Sequence, residues 1–280
     1  MIQDIEPRIF DNSFKNIIAE SQDLFLSYNG DTVLVKEDMD KLWYPSFSDF
    51  ENEYPDLIHN ARFLFQINNI NYFLVEEKEL DSVNGWSYVT TNRFRTEAKY
   101  WRSFAGVVGW QLNRWYGNHQ FCSKCGKQVK HSEKERMLYC ESCGFQAYPT
   151  ISPCVIVAVH DGNRLLLTKY AGRAYTKYAL IAGFAEIGES LEQTAHREVK
   201  EEVGINIKNL KFYKSQPWPF TDTLLVGFFA ELDGDNTITI DEEELSLGEW
   251  VDRENIPPEE LKISLTSEMM EAFRTGRVNL

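Results

Sequence analysis

Cysteine is scarce in this chain of 280 residues: five are too few for a disulfide scaffold, and four of the five fall in two close pairs. Long apolar runs are missing as well. No stretch of about 18 uncharged apolar residues occurs, which removes a membrane-spanning helix. Residues 1–7 carry no basic segment leading into an apolar one, so no signal peptide is expected. Positive charge is short, with 29 Lys and Arg against 43 Asp and Glu and a formal net charge of −14. Duplex DNA and anionic membranes reward clustered Lys and Arg, and are poor default partners for such a chain. An anionic small molecule stays open, because a bound divalent cation inverts the sign of a local site. Neither an internal repeat nor a low-complexity linker is present. The expected setting is cytoplasmic, where paired cysteines favour metal over disulfide. What is present is ample apolar material: 43% hydrophobic residues, 14% aromatic, enough for a packed core and against disorder. At roughly 150 residues per domain, the length indicates two domains, or one with additions.

Residues 1 to 95 alternate short apolar runs with Asn, Asp and Gly turns. Phe63, Phe65 and Ile67, then Asn68-Asn69, then Tyr72 to Val75, predict a hairpin. Asp11 to Ile18 fits either a short helix or an irregular stretch. A helix is predicted from Thr96 as N-cap with Glu97 in its first turn, an inner face of Trp101, Phe104, Val108, Leu112 and Trp115, and a stop at Gly117-Asn118. After residue 150 the texture becomes α/β. Strands are expected at Cys154–Val159, Leu165–Leu167 (joined by an Asp161-Gly162 turn), Tyr178–Ile181, Leu210–Lys214, Leu224–Glu231 and Trp250-Val251. Helices are expected at Ser190–Val203 and Ser264–Thr275.

Between the halves lie Cys122-x2-Cys125 and Cys140-x2-Cys143, fourteen residues apart, each pair followed by glycine (Gly126, Gly144). Zinc takes four soft ligands at tetrahedral corners, and a two-residue gap lets both thiolates of a knuckle turn inward. Four cysteines leave no open coordination position, so the ion is structural. The alternative is redox chemistry or a pair of disulfides, which a reducing compartment disfavours. Cys154 reads as a buried core thiol. The segment resembles a zinc ribbon. Lys124, Lys127, Lys130, His131, Lys134 and Arg136 make it locally basic, and a solvated hairpin surface is favoured over a nucleic-acid site.

The most informative stretch runs from Gly183 through Glu189 to Arg197-Glu198-Val199-Lys200-Glu201-Glu202-Val203-Gly204-Ile205. Helical residues four apart lie one turn apart and about 40° around the axis, which sets Glu198, Glu201 and Glu202 along one strip. Like charges at that spacing destabilise a bare helix. A hard divalent cation such as Mg2+ or Mn2+ gives the strip a purpose, because it prefers carboxylate oxygens, water and phosphate together. Arg197 can pair with Glu189 to fix the loop to the helix, and Gly204 fits the helix stop.

Over these 23 residues the chain matches the Nudix box, Gly-x5-Glu-x7-Arg-Glu-apolar-x-Glu-Glu-x-Gly-apolar, at every defined position. The resemblance to Nudix hydrolases implies an α/β fold, an α/β/α sandwich with mixed sheet, and hydrolysis of a nucleoside diphosphate linked to another group. It implies a catalytic set of Glu189, Arg197, Glu198, Glu201 and Glu202. Glu198 and Glu202 would be the principal ligands of Mg2+ or Mn2+, with Glu201 adjoining and the Ala182 carbonyl contributing. Glu244, in the acidic run before Leu245, aligns with a further metal-binding glutamate.

Ser215-Gln216-Pro217-Trp218-Pro219-Phe220 follows ten residues after Ile205. By composition alone, two prolines around a tryptophan fit a stiff loop that stacks an aromatic ring, or a turn packed by its own tryptophan. Placed after a Nudix box, the run is similar to the motif of the NADH pyrophosphatase subfamily. That subfamily also has a four-cysteine ribbon directly before its Nudix domain, followed by Tyr-Pro, here Tyr148-Pro149. The loop departs from the family at Thr221-Asp222-Thr223, where Pro-x-Ser is usual, and the added Asp222 carboxylate bears on how a dinucleotide sits. The resemblance implies substrate contacts from Tyr148, Phe184, Gln216, Pro217, Trp218, Pro219, Phe220, Thr221, Asp222 and Thr223, and a homodimer. It implies cleavage of NADH or NAD+ to nicotinamide mononucleotide and AMP. One alternative is removal of NAD caps from RNA by the same site, with the basic ribbon holding the RNA. Another is a nucleotide-binding regulator without hydrolysis, which the intact glutamates and the lack of a helix-turn-helix signal disfavour. The expected domains are an α+β N-terminal domain (1–117), a zinc ribbon (118–147) and a catalytic domain (148–280).

Overall fold

A computed structural model describes the chain except residues 40, 77–79, 81–84, 97–99, 173–175, 259–262 and 279–280. Its contacts divide into two compact units. One comprises Ile2–Thr150 with Pro219–Thr221; the other comprises Met1, Ile151–Trp218 and Asp222–Leu280. The cysteine segment falls inside the first unit.

In the first unit the strands are β1 (Phe10–Asp11), β2 (Leu24–Asn29), β3 (Thr32–Asp38), β4 (Lys41–Trp43), β5 (Ala61–Ile67), β6 (Ile70–Val75) and β7 (Ser87–Thr90). They form a sheet in the order β1-β5-β6-β2-β3-β4, with β7 on β3. The predicted hairpin is β5–β6, closing with Ile67 opposite Ile70. Asn68 and Asn69 turn it with φ of 52° and 64°, the positive values a two-residue hairpin turn requires and asparagine tolerates. Residues 12–20 are irregular, which decides the open reading of Asp11 to Ile18. One face of the sheet is filled by Phe25, Phe47, Phe50, Phe63, Phe73 and Trp86.

Helix α1 (Tyr100–Asn118) meets the unit through Tyr28 Oη, which donates to the Gly106 carbonyl at 2.6 Å, and Tyr44 Oη, which donates to that of Arg102 at 2.8 Å. Phe104, Leu112 and Trp115 are buried as expected, but Trp101 and Val108 are only half-buried; the inner face is rotated to take in Arg102, Val107 and Tyr116. Thr96, expected as the N-cap, closes a 3-10 turn over Thr91–Arg95 through its N–H to the Arg93 carbonyl. Glu97 lies outside the described residues.

Three two-residue strands, β8 (Lys130–His131), β9 (Leu138–Tyr139) and β10 (Gln146–Ala147), make the small sheet of the ribbon in the order β10-β9-β8. Not all of its basic residues are free in solvent. Arg136 donates to Asn12 Oδ1 at 2.9 Å and to the Leu64 carbonyl, and Lys130 pairs with Glu141 at 2.9 Å.

The second unit has β11 (Ser152–Asp161), β12 (Arg164–Tyr170), β13 (Ile181–Phe184), α2 (Leu191–Val203), β14 (Asn206–Trp218), β15 (Thr223–Asp233), β16 (Leu245–Asp252) and α3 (Leu265–Arg274). Its sheet runs β14-β15-β11-β12-β16 with β13 on β11, and the central pair β11–β15 is parallel. Alternation along β11 sorts two cores. Val155, Val157 and Val159 join Ala195, Val199 and Val203 of α2, while Ile156 and Ala158 join Leu265, Met269, Met270 and Phe273 of α3. This is the expected α/β/α sandwich with mixed sheet.

Element edges moved. The β11–β12 turn is Gly162-Asn163, one residue later than read, because Asp161 still pairs with Arg164. The strand expected at Tyr178–Ile181 begins at Ile181 and continues to Phe184, because its partner on β11 runs from Cys154 to Val157. Ser215 to Trp218, expected in a loop, belong to β14 and pair with Thr223–Val226.

Helix α3 is tied to β14 at Glu268, which accepts from Tyr213 Oη (2.9 Å), Lys214 Nζ (3.1 Å) and Arg277 Nη1 (3.2 Å). Burial pulls its proton affinity up, but the hydrogen bonds from Arg277, Tyr213 and Lys214 outweigh it and hold the carboxyl at about 2. A depressed carboxyl stabilises the fold above its unfolded pKa, about 4.3, and stops doing so as pH falls towards the folded value. The stability gap between the wild-type protein and Glu268→Gln is therefore expected to be full at neutral pH and to close progressively from about 4.3 towards 2. Thermal midpoints of both proteins across that range check it; a gap that does not change with pH would contradict the assignment.

Candidate active site and zinc centre

The box glutamates are positioned by a well-capped helix. Ser190 Oγ accepts from Gln193 N while Gln193 reaches back to Ser190 N, and Gly204 at φ 74° ends the helix in the left-handed conformation. Lys200 Nζ donates to the Gly204 carbonyl at 2.8 Å, placing a cation at the negative end of the dipole.

Arg197 is the hub. Its Nε and Nη2 donate to the two oxygens of Glu189 at 2.7 and 3.0 Å, a bidentate pair, and Nη2 also donates to the Phe184 carbonyl at 2.9 Å. Its Nη1 serves Glu198 Oε1 at 2.7 Å and Glu201 Oε2 at 2.8 Å. Glu189 accepts further from Glu186 N (3.1 Å) and Thr194 Oγ1 (2.9 Å). These bonds, Arg197 first, hold its carboxyl at about 2. The anticipated Arg197–Glu189 pair is thus present, and the same guanidinium offsets two more carboxylates. Thr194 had not been singled out. The available signal was its place five residues after Glu189 on the first turn of the helix.

Glu198 rises in proton affinity, chiefly through burial, against the pull of Arg197 and with the charges of Glu201 and Glu244 adding. Glu202 is 4% exposed. The Cys154 thiol is pushed up to about 12 by burial and by the charges of Glu198 and Glu202. Glu201 is different: its side chain is 60% exposed. The single strip expected is therefore two-sided, because positions 201 and 202 differ by about 100° around the helix.

Gly183 carries the closest approach in the site. A Cβ there would lie 1.9 Å from the Glu198 carboxyl carbon and 2.1 Å from each of its oxygens. Only a bare backbone lets β13 lie against that carboxylate. Gly183→Ala is expected to push Glu198 aside and lower turnover about 100-fold, the effect of a displacement near 1 Å at a reacting centre, with the thermal midpoint nearly kept. Steady-state rates beside a melting curve decide; near-normal turnover would show that the position of Glu198 is immaterial.

The remaining expected residues divide. Ala182 sits on β13 opposite Ile156. Glu244 is exposed in the turn before β16, its carbonyl accepting from Ala171 N at 2.8 Å. Phe184 and Tyr148 are exposed aromatics, 55% and 52%, and Tyr148 Oη donates to Glu135 Oε1 at 3.2 Å within the first unit. Pro217 and Thr221 are exposed, Trp218 and Asp222 half-buried. Pro219, Phe220 and Thr223 are buried. Phe220 lies under the Arg95 guanidinium at 3.9 Å, and Arg114 Nη2 donates to the Pro219 carbonyl at 2.8 Å. Gln216 differs most from its expected role as a substrate contact. It is fully buried, donating to the Ile263 carbonyl at 2.8 Å and accepting from Leu265 N at 2.5 Å, so its amide anchors the start of α3.

The cysteines form two matching knuckles. In each, the first cysteine carbonyl accepts from the following glycine N–H, Gly126 to Cys122 at 2.8 Å and Gly144 to Cys140 at 2.9 Å. The two glycines sit at φ 73° and 72°. All four Sγ atoms lie within 4.8 Å of one another, and the nearest pairs, Cys122–Cys143 and Cys125–Cys140, are 3.5 Å apart. A tetrahedral zinc with bonds of about 2.3 Å sets sulfurs about 3.8 Å apart, whereas a disulfide needs about 2.05 Å. The donor set fits structural zinc. Among the described residues this is the group that gathers three or more such ligand atoms so tightly. The carboxylates of α2 are a looser oxygen set, which fits Mg2+ or Mn2+, the ions Nudix hydrolases use.

Residues 150–273 match the NUDIX domain family and residues 118–146 the NADH pyrophosphatase zinc ribbon domain. Over 210 residues, 74% of this chain and 75% of the relative, the chain is 32% identical to the NAD-capped RNA hydrolase NudC of Pseudomonas entomophila. The chain belongs to the Nudix hydrolase family. A NudC of Mannheimia succiniciproducens is 42% identical over 149 residues, a match spanning 51% of this chain and 55% of that relative. A NudC of Klebsiella pneumoniae is 41% identical over 149 residues, 53% of this chain and 58% of the relative. A Nudix hydrolase crystal structure from Nitrosomonas europaea is also similar, at 24% identity and a TM-score of 0.49, covering 56% of this chain and 92% of that one. Among the described residues, no helix of this Nudix chain is long and apolar enough to cross a membrane.

Proposed function

We propose that the chain hydrolyses the pyrophosphate linkage of NADH or NAD+ to nicotinamide mononucleotide and AMP. We propose that it cleaves the same linkage where NAD caps RNA. The observation that carries this reading is the Arg197 hub, which holds Glu189, Glu198 and Glu201 while Gly183 admits the Glu198 carboxylate beside β13. The names borne by the NudC relatives support the substrate class.

Glu198 and Glu202, with the Ala182 carbonyl and with Glu201 and Glu244 adjoining, would hold Mg2+ or Mn2+. The chemistry supplied there is neutralisation of pyrophosphate charge and acidification of a bound water. The chain's own residues do the rest. Arg197 fixes three carboxylates, one on the loop before α2 and two on α2 itself, so their geometry is set before substrate arrives. Exposed Phe184 and half-buried Trp218 of the second unit offer ring faces for a base or nicotinamide. Water adds to one phosphorus as the bridging P–O bond breaks, leaving two monophosphates; no covalent intermediate on the protein is required.

The finer assignments belong to the same reading: a homodimer acting in the cytoplasm, with the N-terminal domain, ribbon and catalytic domain divided at residues 117 and 147. Turnover measured side by side on NADH, NAD+ and NAD-capped RNA is the test. Release of AMP from the free dinucleotides, and of 5′-monophosphate RNA from the capped strand, is expected. Tight binding without release of either product would replace hydrolysis with the regulatory alternative.

A further inference from the structure

The first unit contains a cavity of about 520 Å3 that none of the assignments above uses. Three cations reach it, Arg8, Lys41 and Arg102, together with the rings of Trp43, Tyr100 and Trp101. Asp4 and Glu6 also lie on its wall. The rings and guanidinium groups are layered. Arg8 lies 4.3 Å over Trp101, and Arg102 lies 4.5 Å from Trp101 and 4.0 Å from Trp43. Stacking on Trp101 holds the Arg8 guanidinium by its face, and a phosphate meets such a guanidinium edge-on, through the N–H donors of its own plane.

Two observations point to a ligand. Arg102 is 7% exposed and Trp43 is 44% exposed. A guanidinium is thus desolvated inside the stack while the indole at its end still presents apolar surface to the cavity. In addition, Arg8 and Lys41 form no ion pair among the described residues, on a chain where 43 acidic residues outnumber 29 basic ones. Cations alone would suit any anion. Cations set beside a layered stack that ends in a half-exposed indole suit an anion attached to a flat ring, because base stacking extends the layers while the phosphate takes the N–H edges.

We propose that this cavity binds a nucleoside monophosphate unit, its base stacked on Trp43 and its phosphate held by Arg8 and Lys41. The unit arrives either as a free nucleotide or as one residue of a single strand. The proposal rests on the first unit alone and does not depend on the hydrolytic reading of α2.

The test is equilibrium binding to the full chain, without added divalent cation, of adenosine 3′-monophosphate and of a short 5′-hydroxyl oligoadenylate. Neither probe carries a pyrophosphate. Trp43→Ala is expected to weaken binding at least about tenfold, the usual effect of losing one base-stacking aromatic. Trp43→Phe should restore most of it. Lys41→Glu, which leaves the stack untouched, should weaken binding and flatten its salt dependence. Binding of both probes, or of either one, supports the site and distinguishes the strand from the free nucleotide as its source. Affinities that are the same in all three variants and the wild-type protein would overturn it. So would a short polyglutamate that competes as well as the nucleotides, which would make the cavity an anion or acidic-peptide site.

Discussion

Glu202→Gln should abolish turnover while leaving the fold intact, with a loss of about 1,000-fold or more, the scale on which a preorganised electrostatic contact at a reacting phosphate acts. The substitution is nearly isosteric and removes one negative charge from a side chain that is 4% exposed. Taking an ionised carboxylate out of water is unfavourable in itself, so neutralising it does not lower stability through burial. Val199 and Val203 on either side remain packed in the core with Val155 and Val157. The thermal midpoint is expected to hold or rise. The same change lessens the repulsion felt at Cys154, whose thiol is raised by burial and by the charges of Glu198 and Glu202, and the pKa of that thiol should fall. Rate, melting curve and thiol titration therefore move in stated directions. A variant that keeps near-normal turnover with Mg2+ or Mn2+ would remove Glu202 from the reaction.

The comparison with Gly183→Ala separates two properties of the same site. One substitution removes charge and keeps position; the other keeps every charge and displaces Glu198, whose carboxyl occupies the space a Cβ would need. A smaller loss for the glycine variant is expected, because a displaced carboxylate can recover part of its contacts by side-chain rotation.

What was legible in the sequence was local. Gly204 announced the end of α2 because a left-handed stop is carried by the glycine itself. The apolar, β-branched run Cys154–Val159 announced a strand, and it lies within β11. The cysteine knuckles followed from spacing alone. The errors arose where tertiary partners decide. Two prolines around Trp218 read as a loop, yet Pro217 lies in β14. The reason is that β14 ends the strand order of its sheet, and an edge strand tolerates a residue without an N–H donor. Gln216 carried no mark of burial; its partners Ile263 and Leu265 lie 47 and 49 residues away. Trp101 and Val108 were read as inner positions of α1, but burial of Arg102 between two tryptophans rotated that face. The pairing of Arg197 with Glu189 was readable, whereas its bonds to Glu198 and Glu201 depended on a rotamer that no spacing specifies.

Removing zinc should unfold the ribbon while sparing the rest of the first unit. Within residues 118–147 the buried side chains are Cys122, Met137, Leu138 and Cys140, and the three strands have two residues each. So little apolar area cannot offset the conformational entropy of ordering the segment. Two of its four buried side chains are themselves ligands, so the metal is the core. Apparent binding energies of about 10–16 kcal/mol for four-ligand zinc sites are folding energy in such a case. Cys140→Ser removes a buried ligand and leaves three thiolates whose mutual repulsion the ion no longer fully offsets. The expected results are loss of the single equivalent of zinc by elemental analysis and rapid proteolysis confined to the ribbon. Cys154→Ser is the internal control, since that thiol lies on β11 outside the cluster, and it should retain zinc and resist proteolysis. Arg136 gives the ribbon one anchor independent of metal, through Asn12 and the Leu64 carbonyl. Cleavage in the zinc-free protein should therefore start in the knuckles, at Ser123-Lys124 and Ser142, and reach Arg136 last. Equal resistance of Cys140→Ser and the wild-type protein would mean that the ribbon is held by packing and that the ion is dispensable.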